Sequence, residues 1–194
     1  MGHSLDMEIK KIRKLLEKEL DPKRFEHTLG VEYTAAALAM AHGESVEKAV
    51  LAGLLHDCAK GIDDDKKISL CEKYGLPVSD IERGNPGLLH AKLGAYLAEH
   101  EYEVTDKDIL GAIEWHTTGR PGMTTLEKIV FVADYIEPNR KQLPNMDLDR
   151  KLAFSDLNEA IKQILSDTLT YLGEGTKAVD PMTRKTYEYY TRAE

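Results

Sequence analysis

The sequence predicts an all-α fold of about seven to nine helices. Apolar residues recur at spacings of three and four, capping residues precede these stretches, and glycine or proline follows them. No stretch shows the sustained alternation of a half-buried strand. The 194 residues, 42% hydrophobic and 31% charged, suit a single globular domain over residues 1–194, with a polar C-terminal tail at residues 174–194.

Most of the predicted helices have a start signal, such as a capping side chain, acidic residues or a proline at the first position. The predicted helices begin at or just after residue 6, Asp21-Pro22, Ser45, the acidic triplet at residues 63–65, Leu88, Thr105, Thr124, Leu148 and Ser155, and a short terminal helix begins at Asp180-Pro181. Five of them end at Gly43, Gly61, Gly75, Pro138 and Gly173. The acidic triplet also resembles a cation site, but negative charge at a helix N-terminus is the better interpretation.

Composition excludes several classes of function. The formal net charge of −8 argues against nucleic acid or an anionic membrane as the main partner. No apolar run approaches the roughly 18 residues of a membrane span, and no secretory signal is visible. The two cysteines do not suggest a disulfide framework, so we expect a cytoplasmic protein. Residues 1–6 are either native or a remnant of cloning before a natural start at Met7.

Six imidazole or carboxylate side chains share an unusual position, on the apolar faces of predicted helices. They are His27, His56, Asp57, His90, His116 and Asp134. For the His56-Asp57 pair alone, a capped helix end with a structural ion pair is the ordinary interpretation. Four such histidines with two carboxylates are hard to satisfy by hydrogen bonds alone, so they predict a metal site. Mixed nitrogen and oxygen ligands without thiolate suit iron, manganese or another divalent ion better than structural zinc.

The order His, His-Asp, His, His, Asp resembles that of HD-domain metal-dependent phosphohydrolases. Within them the chain is similar to the bacterial YqeK family of symmetrical diadenosine tetraphosphate hydrolases. The likeness covers most of the chain and rests on five segments: residues 24–31, 55–60, 89–97, 116–124 and 132–140. The last two segments together are the most specific.

The resemblance implies an HD-domain helical bundle with iron as the native metal, in one or two ions. First-metal ligands are then His27, His56, Asp57 and Asp134. His90 and His116 either hold a second metal that Asp57 bridges or bind phosphate directly.

The resemblance also implies symmetrical cleavage of diadenosine tetraphosphate into two ADP. Bound metal lowers the pKa of water and clamps phosphoryl oxygens, and cations meet the charge that develops. The expected catalytic residues are Asp57, Lys60, His90 and His116. The expected substrate-binding residues are Arg24, His27, Asp57, Lys60, His90, His116, Thr118, Gly119, Arg120 and Arg140.

Two other functions stay open at this point. One is a different HD-domain nucleotide hydrolysis, by a nucleotidase or an alarmone hydrolase. The other is a sensor that binds nucleotide without turnover, which the complete set of six ligand positions disfavours. Whether the chain forms a homodimer is also open.

Overall fold

Helices make up all the regular structure in the part of the chain that the structure describes, a computed structural model of residues 2–173 and 179–192. This confirms the all-α class, and the eleven α-helices found there exceed the seven to nine predicted. Residues 174–178 and 193–194 of the predicted tail lie outside the described residues, as does Met1. The α-helices are α1 (Gly2–Glu19), α2 (Pro22–His42), α3 (Val46–Leu55), α4 (Asp64–Lys73), α5 (Asp80–Gly84), α6 (His90–His100), α7 (Lys107–Trp115), α8 (Thr125–Ile136), α9 (Met146–Ala153), α10 (Leu157–Gly173) and α11 (Pro181–Arg192), and a 3-10 helix spans Pro86–Leu89.

The structure confirms three of the predicted helix caps and contradicts two others. Asp21 and Ser45 cap α2 and α3, and Thr124 forms the predicted capping box with Glu127. The α7 helix is capped by Asp106 rather than Thr105, through bonds from the backbone N–H groups of residues 108 and 109. The hydroxyl of Ser155 donates to carbonyls at the end of α9, so Asp156 caps α10 instead.

Two boundaries near the predicted ligands also differ from expectation. The α3 helix ends at Leu55, so His56 and Asp57 lie in the turn that follows it instead of inside a helix running to Gly61. The helix expected from Leu88 begins at His90, after the 3-10 helix. As a result, His56 directly follows the end of α3, and His90 directly follows the end of the 3-10 helix.

The α2 helix lies at the centre of the packing, against α3 and α8. Gly53 lets α3 approach α2 closely, because a Cβ there would lie 3.0 Å from the Cα of Glu32 and 3.2 Å from the carbonyl oxygen of Val31. Fully buried aliphatic side chains fill the core around these helices, and burying each contributes roughly 1.5–3 kcal/mol. Among them are Leu16, Leu38, Leu54, Leu93, Ile113, Ile129 and Ile161. Within residues 2–173 and 179–192, we find no helix with the length and apolar character needed to cross a bilayer.

Candidate metal centre

Three of the predicted ligand histidines directly follow a helix end, and each uses the same local hydrogen bond. His56 follows α3, His116 follows α7, and His90 follows the 3-10 helix. In each ring Nδ1 lies within hydrogen-bond distance of the carbonyl oxygen three residues earlier, at 2.7 Å for His56, 2.5 Å for His90 and 2.7 Å for His116. Because a carbonyl only accepts, Nδ1 carries the proton and Nε2 keeps its lone pair.

His27 also has its proton on Nδ1, where the hydrogen-bond acceptor is a carboxylate that is distant in the sequence. It lies inside α2, where its Nδ1 donates to Glu137 Oε1 at 3.0 Å. Glu137 is buried just after α8 and also accepts the backbone N–H of Asn139 at 2.7 Å. A carboxylate on the far nitrogen of a histidine is the usual support of a metal-binding imidazole.

The four Nε2 atoms converge on the carboxylates of Asp57 and Asp134. His27 Nε2 lies 2.9 Å and His56 Nε2 3.7 Å from Asp134 Oδ1, and His56 Nε2 lies 3.5 Å from Asp57 Oδ2. On the other side, His90 Nε2 lies 3.2 Å and His116 Nε2 3.6 Å from Asp57 Oδ1. His27 Nε2 lies 4.0 Å from Asp57 Oδ2, so Asp57 presents one oxygen to each pair of histidines, as a bridging carboxylate does.

The donor set fits a divalent metal. His27 Nε2 and His56 Nε2 are buried and make no hydrogen bond with any described residue, although both face carboxylate oxygens. His27, His56 and Asp134 offer ligand atoms within 4.8 Å of one another, and so do His56, Asp57 and His116. His90 Nε2 and His116 Nε2 are only 3.1 Å apart, and two lone pairs at that distance need a cation or a shared proton. Imidazole and carboxylate ligands without thiolate are suited to a divalent ion.

Comparison with known proteins agrees with this geometry. The model of the HD domain matches residues 24–139, which include the six proposed ligands. The chain belongs to the HD-domain family. An HD domain implies a divalent metal, and the resemblance predicted from the sequence is confirmed.

Relatives of this HD-domain protein match over nearly its whole length. The symmetrical bis(5'-nucleosyl)-tetraphosphatase of Bacillus subtilis is 42% identical over 90% of this chain and 92% of its own. The enzyme of the same description from Halalkalibacterium halodurans is 43% identical over 91% of this chain and 94% of its own. A crystal structure from Clostridium acetobutylicum, described as a predicted HD superfamily hydrolase involved in NAD metabolism, is 39% identical with a TM-score of 0.92, covering 95% of this chain and 97% of that one.

Protonation of the HD-domain cluster follows from burial and close charges. Burial favours the neutral form of Asp57, but the surrounding imidazoles of His56, His116 and His90 outweigh it and hold the pKa of this carboxyl well below its usual range. Burial lowers the pKa of His90 to about 4, so the ring is neutral near pH 7 and its lone pair is available. Burial also lowers the pKa of the Lys60 ammonium, whose Nζ lies 3.3 Å from His90 Nε2.

Three of the four predicted substrate-binding cations lie at the cluster. Lys60 adjoins His90, the Arg24 guanidinium donates to Asp57 Oδ2 at 2.8 Å, and Arg140 donates to Asp134 Oδ1 at 2.6 Å and to its backbone oxygen at 2.8 Å. They form a positive rim around a cluster that lies inside an acidic protein. Their roles in binding substrate stay predictions.

The predicted contacts from residues 118–120 are not brought to the cluster. Arg120 forms a two-bond ion pair with the buried Glu127, at 3.0 and 2.7 Å, and its guanidinium lies 5.8 Å from the Trp115 ring centroid. The Gly119 N–H donates to the carbonyl of Trp115, and the Thr118 hydroxyl donates to the carbonyl of Gly119. Their substrate roles stay predictions.

Two residues at the site were not assigned from the sequence. One is Glu137, which supports His27. The other is Thr117, whose Oγ1 lies 3.3 Å from His90 Nε2 and 3.2 Å from His116 Nε2. Glu137 falls on the same helical stripe as Asp134, which is the one signal that could have suggested it. Thr117 directly follows a ligand histidine, and nothing in its spacing distinguishes it.

We expect Glu137→Gln to weaken metal binding by about 10- to 100-fold, because the amide removes the negative charge that supports His27. The dissociation constant is measured by competition with a chelator. Glu26→Gln is the matched control, since Glu26 is exposed on α2 one residue from His27. Equal affinities in both variants would rule out a supporting role for Glu137.

Proposed function

We propose that this chain hydrolyses diadenosine tetraphosphate symmetrically into two molecules of ADP. One observation carries the proposal: relatives described as symmetrical bis(5'-nucleosyl)-tetraphosphatases match nine-tenths of the chain at 42–43% identity. The cluster supports it, because imidazole nitrogens and carboxylate oxygens come close together from His27, His56, Asp57, His90, His116 and Asp134.

The metal of the proposal is iron, with manganese or another divalent ion as alternatives. A first ion would be held by His27, His56, Asp57 and Asp134, and a second by Asp57, His90 and His116. Metal of this kind supplies an activated water near neutral pH and neutralises charge on phosphoryl oxygens.

The chain's own cations provide the rest of the electrostatic stabilisation. Negative charge accumulates on the phosphoryl oxygens during hydrolysis, and catalysis of this reaction is mostly positioning plus charge stabilisation. Arg24 and Arg140 lie on the α2 side of the cluster, where each guanidinium group can donate hydrogen bonds to two phosphoryl oxygens. Lys60 lies on the His90 side, so its ammonium is placed to meet the leaving diphosphate.

A cavity beside His27 and a second one beside Thr117, which contacts His90 and His116, suit a substrate with two nucleotide halves. One, of about 570 Å³, is lined by Lys23, Arg24, His27, Arg140 and Lys141 among others. The other, of about 320 Å³, is lined by residues including Thr117, Thr118 and Trp115. Attack at an inner phosphorus leaves a diphosphate on each side, which is the symmetrical outcome.

Hydrolysis in ¹⁸O-labelled water tests the proposed cleavage position. We expect each turnover to give one labelled and one unlabelled ADP, because water adds to one of two equivalent inner phosphorus atoms. Mass spectrometry of the products reads the label directly. ATP plus AMP as the main products would contradict symmetrical cleavage.

A nucleotide panel separates the proposal from its alternatives. Metal-loaded protein is incubated with diadenosine tetraphosphate, nucleoside monophosphates and alarmones, and the products are resolved. Faster release of inorganic phosphate from a monophosphate would indicate a nucleotidase. Binding of every nucleotide without product would indicate a sensor.

Four further features belong to the proposal and rest on sequence or resemblance. They are a single domain spanning residues 1–194, a cytoplasmic location, a small nucleotide in place of nucleic acid or membrane as the partner, and assembly as a homodimer. Sedimentation of the metal-loaded protein tests the homodimer. Metal analysis of anaerobically purified protein tests iron.

A further inference from the structure

A mostly apolar cavity, the α2 groove, lies along α2 beside the HD-domain cluster. Its volume is about 580 Å³, which falls within the range of roughly 300–1,000 Å³ that is typical of small-molecule sites. Residues of α2 from Glu26 to Ala37 line it, so at 1.5 Å per residue the groove is about 16 Å long. Its apolar and aromatic lining comes from Leu29, Tyr33, Ala37, Ile136, Pro138 and Phe154.

Two aromatic rings of the α2 groove are available for stacking. Tyr33 is 59% exposed and Phe154 is 51% exposed, although both line the cavity. The guanidinium of Arg13 lies 5.5 Å from the Tyr33 ring centroid, a cation–π contact that helps to hold this ring in place. Exposed rings in the wall of a cavity suit a flat ligand, and stacking of this kind is a common way of binding nucleobases.

The α2 groove adjoins the cationic cavity, the cavity of about 570 Å³ beside His27. Glu26 and Asn139 line both of them. Gly30 forms part of the groove wall near this junction, because a Cβ there would lie 3.5 Å from Asn139 Nδ2 and 3.0 Å from Glu137 Cδ. The groove therefore lies against the carboxyl group that supports His27, and a ligand in it can continue into the cationic cavity.

The two adjoining cavities match the two parts of a nucleotide. The cationic cavity is lined by four basic side chains next to a proposed metal ligand, which suits phosphate groups: Lys23, Arg24, Arg140 and Lys141. The α2 groove offers apolar and aromatic surface, which suits an uncharged base. The Asn139 side-chain amide at the junction is of the type that pairs with N6 and N7 of adenine. A second copy of the chain in the groove would not explain the cations at one end of it.

We propose that the α2 groove binds the adenine of one nucleotide half of the substrate, with the phosphates of that half in the cationic cavity. This subsite rests on the proposed hydrolysis of diadenosine tetraphosphate and deepens it, since it assigns one of the two bases. The other half of the substrate then lies in the second cavity, beside Thr117. Stacking on Tyr33 and Phe154 makes a nucleotide with two bases bind more tightly than a nucleotide with one.

Calorimetric titration with two ligands tests the subsite. One ligand is the analogue of diadenosine tetraphosphate with a methylene group in place of the central bridging oxygen, which resists symmetrical cleavage. The other is adenosine 5'-tetraphosphate, which has the same number of phosphates and a single base. Both are titrated into the metal-loaded full chain and into the variants Tyr33→Ser, Phe154→Ser and Tyr33→Phe.

The matched control is Tyr171→Ser, because Tyr171 is 77% exposed on α10 and is not part of the groove lining. Tyr33 and Phe154 are themselves more than half exposed, so serine at either position leaves the buried core intact. Helical circular dichroism of each variant checks this.

We expect Tyr33→Ser and Phe154→Ser each to weaken binding of the two-base analogue by about 10-fold, the usual scale of one stacking contact. Adenosine tetraphosphate should be affected much less, because its single base can occupy the cavity beside Thr117. Tyr33→Phe keeps the ring and should bind both ligands as the parent does, and so should Tyr171→Ser.

Unchanged binding of the two-base analogue in Tyr33→Ser and Phe154→Ser, or an equal loss for both ligands, would overturn the subsite. If Tyr33→Ser instead dissociates a dimer in sedimentation and leaves nucleotide binding unchanged, the groove is an interface between chains and the subsite is wrong. The binding measurement does not depend on turnover. A chain that shows the expected binding differences and cannot hydrolyse diadenosine tetraphosphate would therefore contradict the proposed function and leave the subsite in place.

Discussion

Asp57→Asn is expected to lower hydrolysis of diadenosine tetraphosphate by at least about 1,000-fold and to remove most bound metal. Asp57 is 2% exposed, and each of its oxygens faces two histidines. If Asp57 bridges the metal as proposed, its replacement removes a ligand that both sites share. Metal contributes several kcal/mol to charge stabilisation in such reactions, and each 1.36 kcal/mol is a factor of ten in rate. Initial rates and metal content are measured on the same preparation.

The control for this variant is Asp63→Asn. Asp63 is exposed a few residues further along the chain and makes no side-chain capping bond to α4. It should keep full activity and metal. Helical circular dichroism of Asp57→Asn should match the parent, because asparagine is nearly the size of aspartate and the buried aliphatic core is left intact. Full metal content in Asp57→Asn would show that Asp57 is not a ligand.

Asp149→Asn is expected to raise the free energy of unfolding by about 1–3 kcal/mol at pH 7 to 8 in the presence of EDTA. Burial and then the negative charge of Asp167 raise the pKa of Asp149 from its ordinary value of 3.8 to about 6 in the folded protein. Each pKa unit corresponds to 1.36 kcal/mol, so the ionised carboxylate destabilises the fold by up to about 3 kcal/mol. Urea unfolding at several pH values measures the difference.

The sign of the pH dependence is fixed by the direction of the shift. A raised folded-state pKa means that folding favours the protonated carboxyl. Relative to Asp149→Asn, the parent therefore loses stability as the pH rises from about 4 to about 6, and the difference is constant above that range. Asp147→Asn, on the same helix, should follow the parent. A pH-independent difference would show that the carboxylate of Asp149 is satisfied in the fold.

Helical periodicity indicated the six residues of the cluster, although His56, Asp57 and His116 lie in turns directly after helices and not on helix faces. His27, Asp57 and Asp134 come from three separate segments and meet because charged groups on apolar stripes share one core. The same argument applies to Asp149, a carboxylate on the buried stripe of α9, which was not singled out from the sequence. Its neighbours in the sequence are acidic, and its spacing from the other candidate ligands does not indicate a metal site.

Long side chains and distant partners could not be predicted in the same way. Arg120 follows a ligand segment, yet its flexible side chain pairs with Glu127, and only the structure shows this direction. The bond between His27 and Glu137 joins residues 110 positions apart. Adjacent capping residues were ambiguous for a similar reason, because Thr105 and Asp106 can both cap and local geometry decides between them.

The hydrogen bonds from Nδ1 of His56, His90 and His116 to carbonyls three residues earlier make the metal centre preorganised. Each ring is fixed by its own short segment, and His27 is fixed by Glu137. Binding a metal then sacrifices little conformational entropy, in contrast to zinc-finger peptides, whose fold forms only with the ion. We therefore expect metal to exchange in the folded chain, with an affinity set by ligand chemistry and little contribution from folding.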